Sequence, residues 1–455
     1  MKTKKVIAIL TVAVMLVLVA ACAGQPAGGG GAAASAPAPA APAPAPAAGG
    51  DAPAAGADGL SGHVRFWHHN TMDSRRIPLQ EGADEFVAMN PGVTVDVEVH
   101  ANDVYKTVLR TAMAGGDGPG VFHSWGGGWL RAFVNEGLVV DITSDVQDVA
   151  HLFSEAAMGM VTFDNSIWAV PYVNGSTILY YNIDMFNRLG ISAPTTFAEL
   201  EHVAEVLLAN GIYPFAEANL TRWPGAQHFV LWSMRIGGAD IFERAIAGEI
   251  SFEHPAFIEA GQMLQDMINR GWFPAGHNGM NWDTGESRMM MYLEQAGMIV
   301  QTSGFIGTAF SENPEFFDNL GIAAFPTVAG GAGVATDILA GVNAFSISTF
   351  AEDVDAALGL VKHLTTSDTV QQSLADNATI GARTGLTFPS PQLQTAVAQL
   401  QSATFLQNFI DQTLTPRLTE AHLGTTQALH GLTMTPEEAA AYMQAAFLAD
   451  DGSFD

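Results

Sequence analysis

Cysteine is almost missing. A single one, Cys22, stands among 455 residues, which excludes a disulfide framework and a Cys-rich metal centre. Positive charge is scarce too. Eighteen Lys and Arg face 46 Asp and Glu, for a formal charge of −28. So acidic a surface repels phosphate backbones and disfavours nucleic acid as a partner. Past residue 21 no uncharged apolar run approaches the ~20 residues of a membrane-spanning helix. Enzyme signatures are thin: there is no Gly-x-Ser-x-Gly, no Walker loop and no His-Glu-x-x-His. Gly115-Gly116-Asp117-Gly118 lacks the lysine of a phosphate loop and reads as a helix stop. A glycosidase needs only two facing carboxylates, and composition leaves that alternative open. Apolar residues are plentiful, 48% against 14% charged, enough for a large core in about two or three domains.

The first 59 residues do not read as fold. Lys2, Lys4 and Lys5 precede an apolar run from Val6 to Val19, the pattern of a secretory signal. It ends in Val19-Ala20-Ala21-Cys22, which resembles the lipobox of bacterial lipoproteins. That resemblance implies a signal peptide over 1–21, cleavage before Cys22, and lipid on its sulfur. Residues 23–59 are Ala, Gly and Pro almost throughout. Ala-Pro alternation favours extended polyproline II, so 22–59 reads as a lipidated cysteine on a semi-rigid tether. The expected location is outside the cytoplasm, with the lipid as the sole membrane contact.

From Leu60 the texture alternates. His63–Trp67 reads as a strand, Ile77–Met89 as a helix, and Val93, Val95, Val97 and Val99 as a strand of period two. Tyr105–Ala114 is helical, and Val121-Phe122 opens a short strand. Strands are expected again at Ser176–Asn182, Ala296–Thr302 and Leu320–Phe325. Helices are expected at Thr196–Asn210, Phe257–Arg270, Ala351–Leu364 and Thr369–Asp376. The tail after Pro391 reads as mostly helical. Such alternation implies α/β layering with parallel strands.

The order of certain segments carries a resemblance. Glu85-Phe86 with Asn90-Pro91-Gly92 comes first, then Tyr105-Lys106 with Gly115-Gly116. Val121-Phe122, Trp125-Gly126-Gly127 and Glu136-Gly137-Leu138 follow. Ala169-Val170-Pro171-Tyr172, Tyr181-Asn182 and Asp184-Met185-Phe186 come next. Pro194-Thr195-Thr196-Phe197, Gly211-Ile212-Tyr213-Pro214-Phe215, Phe325-Pro326 and Gly341-Val342-Asn343 complete the set. The chain resembles the family 1 extracellular solute-binding proteins, the sugar-capturing subunits of bacterial ABC importers that include maltose-binding protein. The resemblance implies two α/β lobes joined by a hinge, with 60–172 plus 342–365 as lobe one and 173–341 plus 366–455 as lobe two. It further implies a carbohydrate ligand, with an oligosaccharide favoured, an ABC permease as partner, a monomer, no cofactor, no metal and no covalent chemistry. Two departures matter: Pro119-Gly120 precede Val121-Phe122 where the family often has an aspartate, and Ser303-Gly304 is followed by Phe305 where it commonly has a tryptophan.

A sugar ring presents C–H bonds on its faces and hydroxyls at its edge. Its site therefore needs aromatic planes beside amides, carboxylates or guanidiniums, shut away from water. Trp67 and Trp125 fall at the carboxyl ends of strands, where α/β ligand sites lie; His68 and Asn70 follow Trp67. Trp125 matches a sugar-contacting tryptophan of the family. Its Ser-Trp-Gly-Gly-Gly context suggests an open ring with backbone room for a ligand. Trp223-Pro224 matches a pair near the family's sugar contacts, which adds Glu217 and Asn219. Asn174 stands at the first lobe crossing, Trp282 and Asp283 in a Gly-rich loop, and Asn343 and Arg383 near later crossings. Trp168, Trp232 and Trp272 read as packing. His63, His68 and His69 suit zinc by type, but His63 and His68 lie on opposite faces of the strand and no carboxylate pair completes a shell.

Overall fold

The computed structural model describes residues 59–450; the signal, Cys22 and the tether lie outside the described residues. Eleven strands are present among them: β1 (Ser61–His68), β2 (Gly92–Val99), β3 (Val121–Trp125), β4 (Thr162–Phe163), β5 (Ser166–Ile167), β6 (Val170–Asn182), β7 (Tyr213–Phe215), β8 (Ala296–Thr302), β9 (Leu320–Ala323), β10 (Asp337–Ile347) and β11 (Phe405–Asn408). The large sheet runs β2-β1-β3-β10-β6-β8-β7, with β11 on β10, β9 on β6, and β4-β5 a separate pair.

The first lobe is built on β2, β1 and β3, which run parallel, with β10 antiparallel to β3. Along β1 the side chains of Val64, Phe66 and His68 are buried while Arg65 and Trp67 are half-buried, as a pleated strand requires. Central β3 is buried at all five residues because both faces of the sheet are covered. One face packs Val64, Phe66, Leu79, Phe86, Leu360 and Val361. The other packs Tyr105, Leu109, Phe122, Trp125 and Phe133. The second lobe gathers Leu179, Leu200, Phe215, Trp232, Leu264 and Trp272 on one side of its strands. Tyr180, Trp282, Ile299, Phe305 and Phe316 lie on the other.

Strand β6 joins the two. Val170–Ser176 pairs with β10, and Thr177–Asn182 pairs with β8 and β9. It therefore begins six residues before the expected Ser176. Pro171 and Gly175 conceal that half, because proline lacks a ladder donor and glycine weakens a strand; the register slips opposite Pro171, between Asn343 and Ala344. The helix expected from Ile77 begins at Asp73 and carries Pro78 in its interior. The tail is not all helix, since β11 lies between the helices Pro391–Gln401 and Pro416–His430.

Candidate functional site

The main cleft opens where β6 and β10 pass between the lobes. It holds about 170 Å³, several times the ~30 Å³ share of one water, so it has room for a solute. Lobe one contributes the loop after β1 and the first turn of the helix Asp73–Met89, with Lys106 and Trp125; the crossing strands contribute Gly175 and Asn343. Lobe two contributes Trp223, Gln227, Trp282, Asp283 and the start of the helix Gly304–Glu312, and the tail contributes Phe409, Asp411 and Gln412.

Trp125 ends β3 and is only 5% exposed. His69 stacks on it at 5.0 Å and 28°, His123 and Trp129 meet it edge-on at 4.6 and 4.9 Å, and Tyr105 stands 6.0 Å away. The Lys106 ammonium lies 5.1 Å over the ring and 3.8 Å from the Asp411 carboxylate. Burial pushes the Asp411 carboxyl above its usual range, and Lys106 offsets only part of that rise. The expected open ring is thus a cleft wall that is also core. The expected backbone room is occupied as well. A Cβ on Gly127 would come 2.6 Å from Asn408 Nδ2, and one on Gly128 would come 2.1 Å from the Thr413 carbonyl oxygen. The glycines admit residues 408–414 of the chain's own tail.

On the opposite wall Trp223 opens the helix Trp223–Gly237 and meets Trp282 edge-on at 5.8 Å. The Arg288 guanidinium covers Trp282 at 5.1 Å and is held by Glu312 through hydrogen bonds of 2.8 and 2.9 Å. Burial, with Asp103 beside it, raises the Asp283 carboxyl above its usual range. Two buried donors have no partner here: the indole N–H of Trp223 and the Nε2 of Gln227. Asn70, on the facing wall, donates to the Tyr172 hydroxyl at 2.9 Å.

Six of the twelve residues singled out from sequence therefore share the cleft: Asn70, Trp125, Trp223, Trp282, Asp283 and Asn343. The other six stand elsewhere. Strand β1 continues through Trp67, which turns to His100 at 5.5 Å and to the cluster containing Tyr105. His68 is fully buried behind the wall, accepting from the Asn70 amide, and burial with Arg76 nearby takes its pKa down to about 4. Asn174 lies on the crossing, but the wall there is its neighbour Gly175. Glu217 pairs with His228 at 3.3 Å inside lobe two. Asn219 accepts from the Gly225 amide and donates to Asn278, holding the loop that starts the next helix. Arg383 pairs with Asp368. Phe305 is fully buried against Tyr180 and offers the cleft no aromatic face.

Sequence reasoning missed Arg75, Lys106, Gln227, Asp411 and Gln412, and His69, weighed beside Trp67 and as a zinc ligand, instead stacks on Trp125 in the cleft wall. The Tyr105-Lys106 segment was a signal for the fold only. Gln227 sits within an apolar helical run, and the 409–412 turn comes from the part read as helical tail.

Against known proteins, the family model described as bacterial extracellular solute-binding protein matches residues 73–371. An uncharacterized ABC transporter extracellular-binding protein of Pyrococcus horikoshii is 28% identical over 215 residues, 45% of this chain and 48% of that one. The sn-glycerol-3-phosphate-binding periplasmic protein of Brucella abortus is 26% identical over 201 residues, 41% of this chain and 44% of that one. The chain thus spans about half the length of the curated relatives it matches. A structure reported with work on xylan utilization by Caldanaerobius polysaccharolyticus superposes with a TM-score of 0.79 at 26% identity, covering 84% of this chain and 99% of that one. With the family match spanning most of both lobes and the two-lobed architecture in agreement, the chain belongs to the bacterial extracellular solute-binding proteins.

Proposed function

We propose that this protein captures a carbohydrate, an oligosaccharide in preference to a single sugar, between its lobes and delivers it to an ABC permease. It does so as a monomer tethered by lipid on Cys22, outside the cytoplasm and without covalent chemistry. The observation that carries the reading is one cleft that combines indole rings from both lobes, Trp125 against Trp223 and Trp282, with side-chain donors that have no protein partner. Rings suit sugar faces and unused donors suit hydroxyls. The link of the Caldanaerobius structure to xylan utilization supports a sugar. A ligand touching both lobes favours the closed arrangement by its differential affinity.

Two carboxylates, Asp283 and Asp411, also reach the cleft, which is the minimum for the competing glycosidase reading. Thermal unfolding with a panel of oligosaccharides, followed by mass analysis of each sugar, separates the two. Capture raises the melting temperature and returns the sugar intact; consumption of any sugar refutes it. The relative named for sn-glycerol 3-phosphate favours a second reading, a small phosphorylated solute, and that compound belongs in the panel. Cys22→Ala should leave the protein soluble or unprocessed; a membrane-bound, correctly cut variant refutes the anchor.

A further inference from the structure

The two ends of the cleft differ in charge. At one end Lys106 faces Asp411 and Asp283, with Asp103 nearby. At the other stands Arg75, in the first turn of the helix Asp73–Met89. In a chain with 46 carboxylate side chains, Arg75 has no ion pair and no side-chain hydrogen bond among the described residues. The groups that bear on it are the phenols of Tyr172 and Tyr180, and burial lowers its basicity. Arg75 is half-buried and its guanidinium lines the cleft without a counter-charge, and a charge partly shut off from water favours a partner.

What Arg75 meets across the cleft makes its isolation worse. Its Nη2 lies 3.0 Å from where a Cβ on Gly304 would stand, so the guanidinium rests directly against this glycine. Gly304 opens the helix Gly304–Glu312, whose N-terminus carries partial positive charge. Ser303 does not cap it. The Ser303 hydroxyl is engaged by the crossing strand, accepting from the Ser176 amide and donating to the Asn174 carbonyl. Among the described residues no hydrogen bond takes up the N–H of Gly304 or Phe305. Beside them Thr302 pairs in register with Thr177, and the Thr177 hydroxyl donates to Gln227 Oε1 at 2.6 Å. That bond orients Gln227, which is 4% exposed and whose Nε2 has no acceptor. A guanidinium, an uncapped helix start and an amide donor thus converge with no acceptor between them.

We propose that the Gly304 end of the cleft is a subsite for an oxyanion borne by the captured solute, a carboxylate or a phosphate, held by Arg75, by Gln227 and by the first N–H groups of the helix Gly304–Glu312. The inference rests on the cleft being the capture site. It makes the transported solute an acidic sugar, with the indoles on the ring and Arg75 on the charge. A carboxylate engages a guanidinium through two parallel hydrogen bonds, and a phosphate does the same with one oxygen to spare for the helix start.

The test is calorimetry on the full chain with matched pairs: uronate oligosaccharides against their methyl esters, and sugar phosphates against the parent sugars. At least one anionic member should bind about tenfold or more tightly than its neutral partner, a difference of about 1.4 kcal/mol. The winning pair tells a carboxylate from a phosphate. Arg75→Gln should bring that ratio close to one, and Arg75→Lys should retain part of it. The apo melting temperature of each variant separates lost recognition from lost folding, and the ratio in the unmutated chain needs no variant. Neutral members binding as tightly as their acids in every pair, or a preference that survives Arg75→Gln, overturns the subsite and leaves sugar capture standing. If no carbohydrate of either kind binds, both fall.

Discussion

The two walls of the cleft are built to different rules. On lobe one, Trp125 is packed by His69, Tyr105, His123 and Trp129 and covered by the Lys106 ammonium, while Asn70 is tied to Tyr172. On lobe two, Trp223 and Gln227 hold buried donors that no protein group accepts. Both walls are aromatic, yet the ring of one is enclosed by the protein's own side chains, its unmet groups being Arg75 and His69 Nε2 beside that ring, while on the other the indole itself and a neighbouring amide keep unused donors. An indole at a cleft wall is therefore not by itself a ligand contact. What marks the receptive wall is the unfilled donor beside it, since an unmatched buried polar group is costly unless something binds there.

Acid offers the largest perturbation, because it acts behind both walls. Burial lowers His68 to about 4 behind the first, and His422 and His430 to about 4 and about 3 in lobe two. Each is neutral when folded and has an unfolded pKa of about 6.5. Their stabilisation is complete above about pH 6.5 and is lost as pH falls toward the folded values. Together that is at most about 10 kcal/mol, read as a falling denaturant midpoint between pH 7 and 4. A flat profile would mean that these rings are charged in the fold.

Trp125→Ala should come next, costing roughly 3–5 kcal/mol of apo stability as a core aromatic does. If chemical denaturation shows no loss, the walls are not different after all. Gly128→Ala tests the same wall from its edge. Its methyl group would run into the Thr413 carbonyl, and overpacking of this kind costs about 1–3 kcal/mol; an unchanged melting temperature would show that the tail does not depend on the groove. Trp223→Phe should be the mildest. It keeps a ring, removes the unmatched N–H, and should leave apo stability nearly intact while weakening ligand binding about fivefold, for one hydrogen bond of about 1 kcal/mol. A stability loss as large as that of Trp125→Ala would make both walls scaffold.

The alternation of β1 and β2 and the helices around them could be read from sequence because hydrophobic period survives without tertiary knowledge. The first half of β6 could not, since Pro171 and Gly175 argue against a strand in isolation. Nor could Arg75. Apolar spacing pointed to a helix starting at Ile77, whereas the structure adds a turn before it and that turn carries Arg75 to the cleft. Six of the candidate residues meet at one place because strand ends and the family likeness located them. Asp411 and Gln412 gave no local sign, because their place in the wall depends on a groove of glycines far away in the chain.

That groove has a consequence for how the molecule comes into being. Gly127 and Gly128 receive residues 408–414, and Gly341 is crowded by Phe409, Asn408 and Gln412. A chain is made from its amino end, so lobe one emerges with a seam that stays open until about 280 further residues have followed, a long loop to close. The carboxyl-terminal segment is thus the keystone of the cleft. A chain cut short before Phe409 would retain the indoles of both walls but lack the turn that joins them, and ligand recognition should appear only with the last stretch of synthesis.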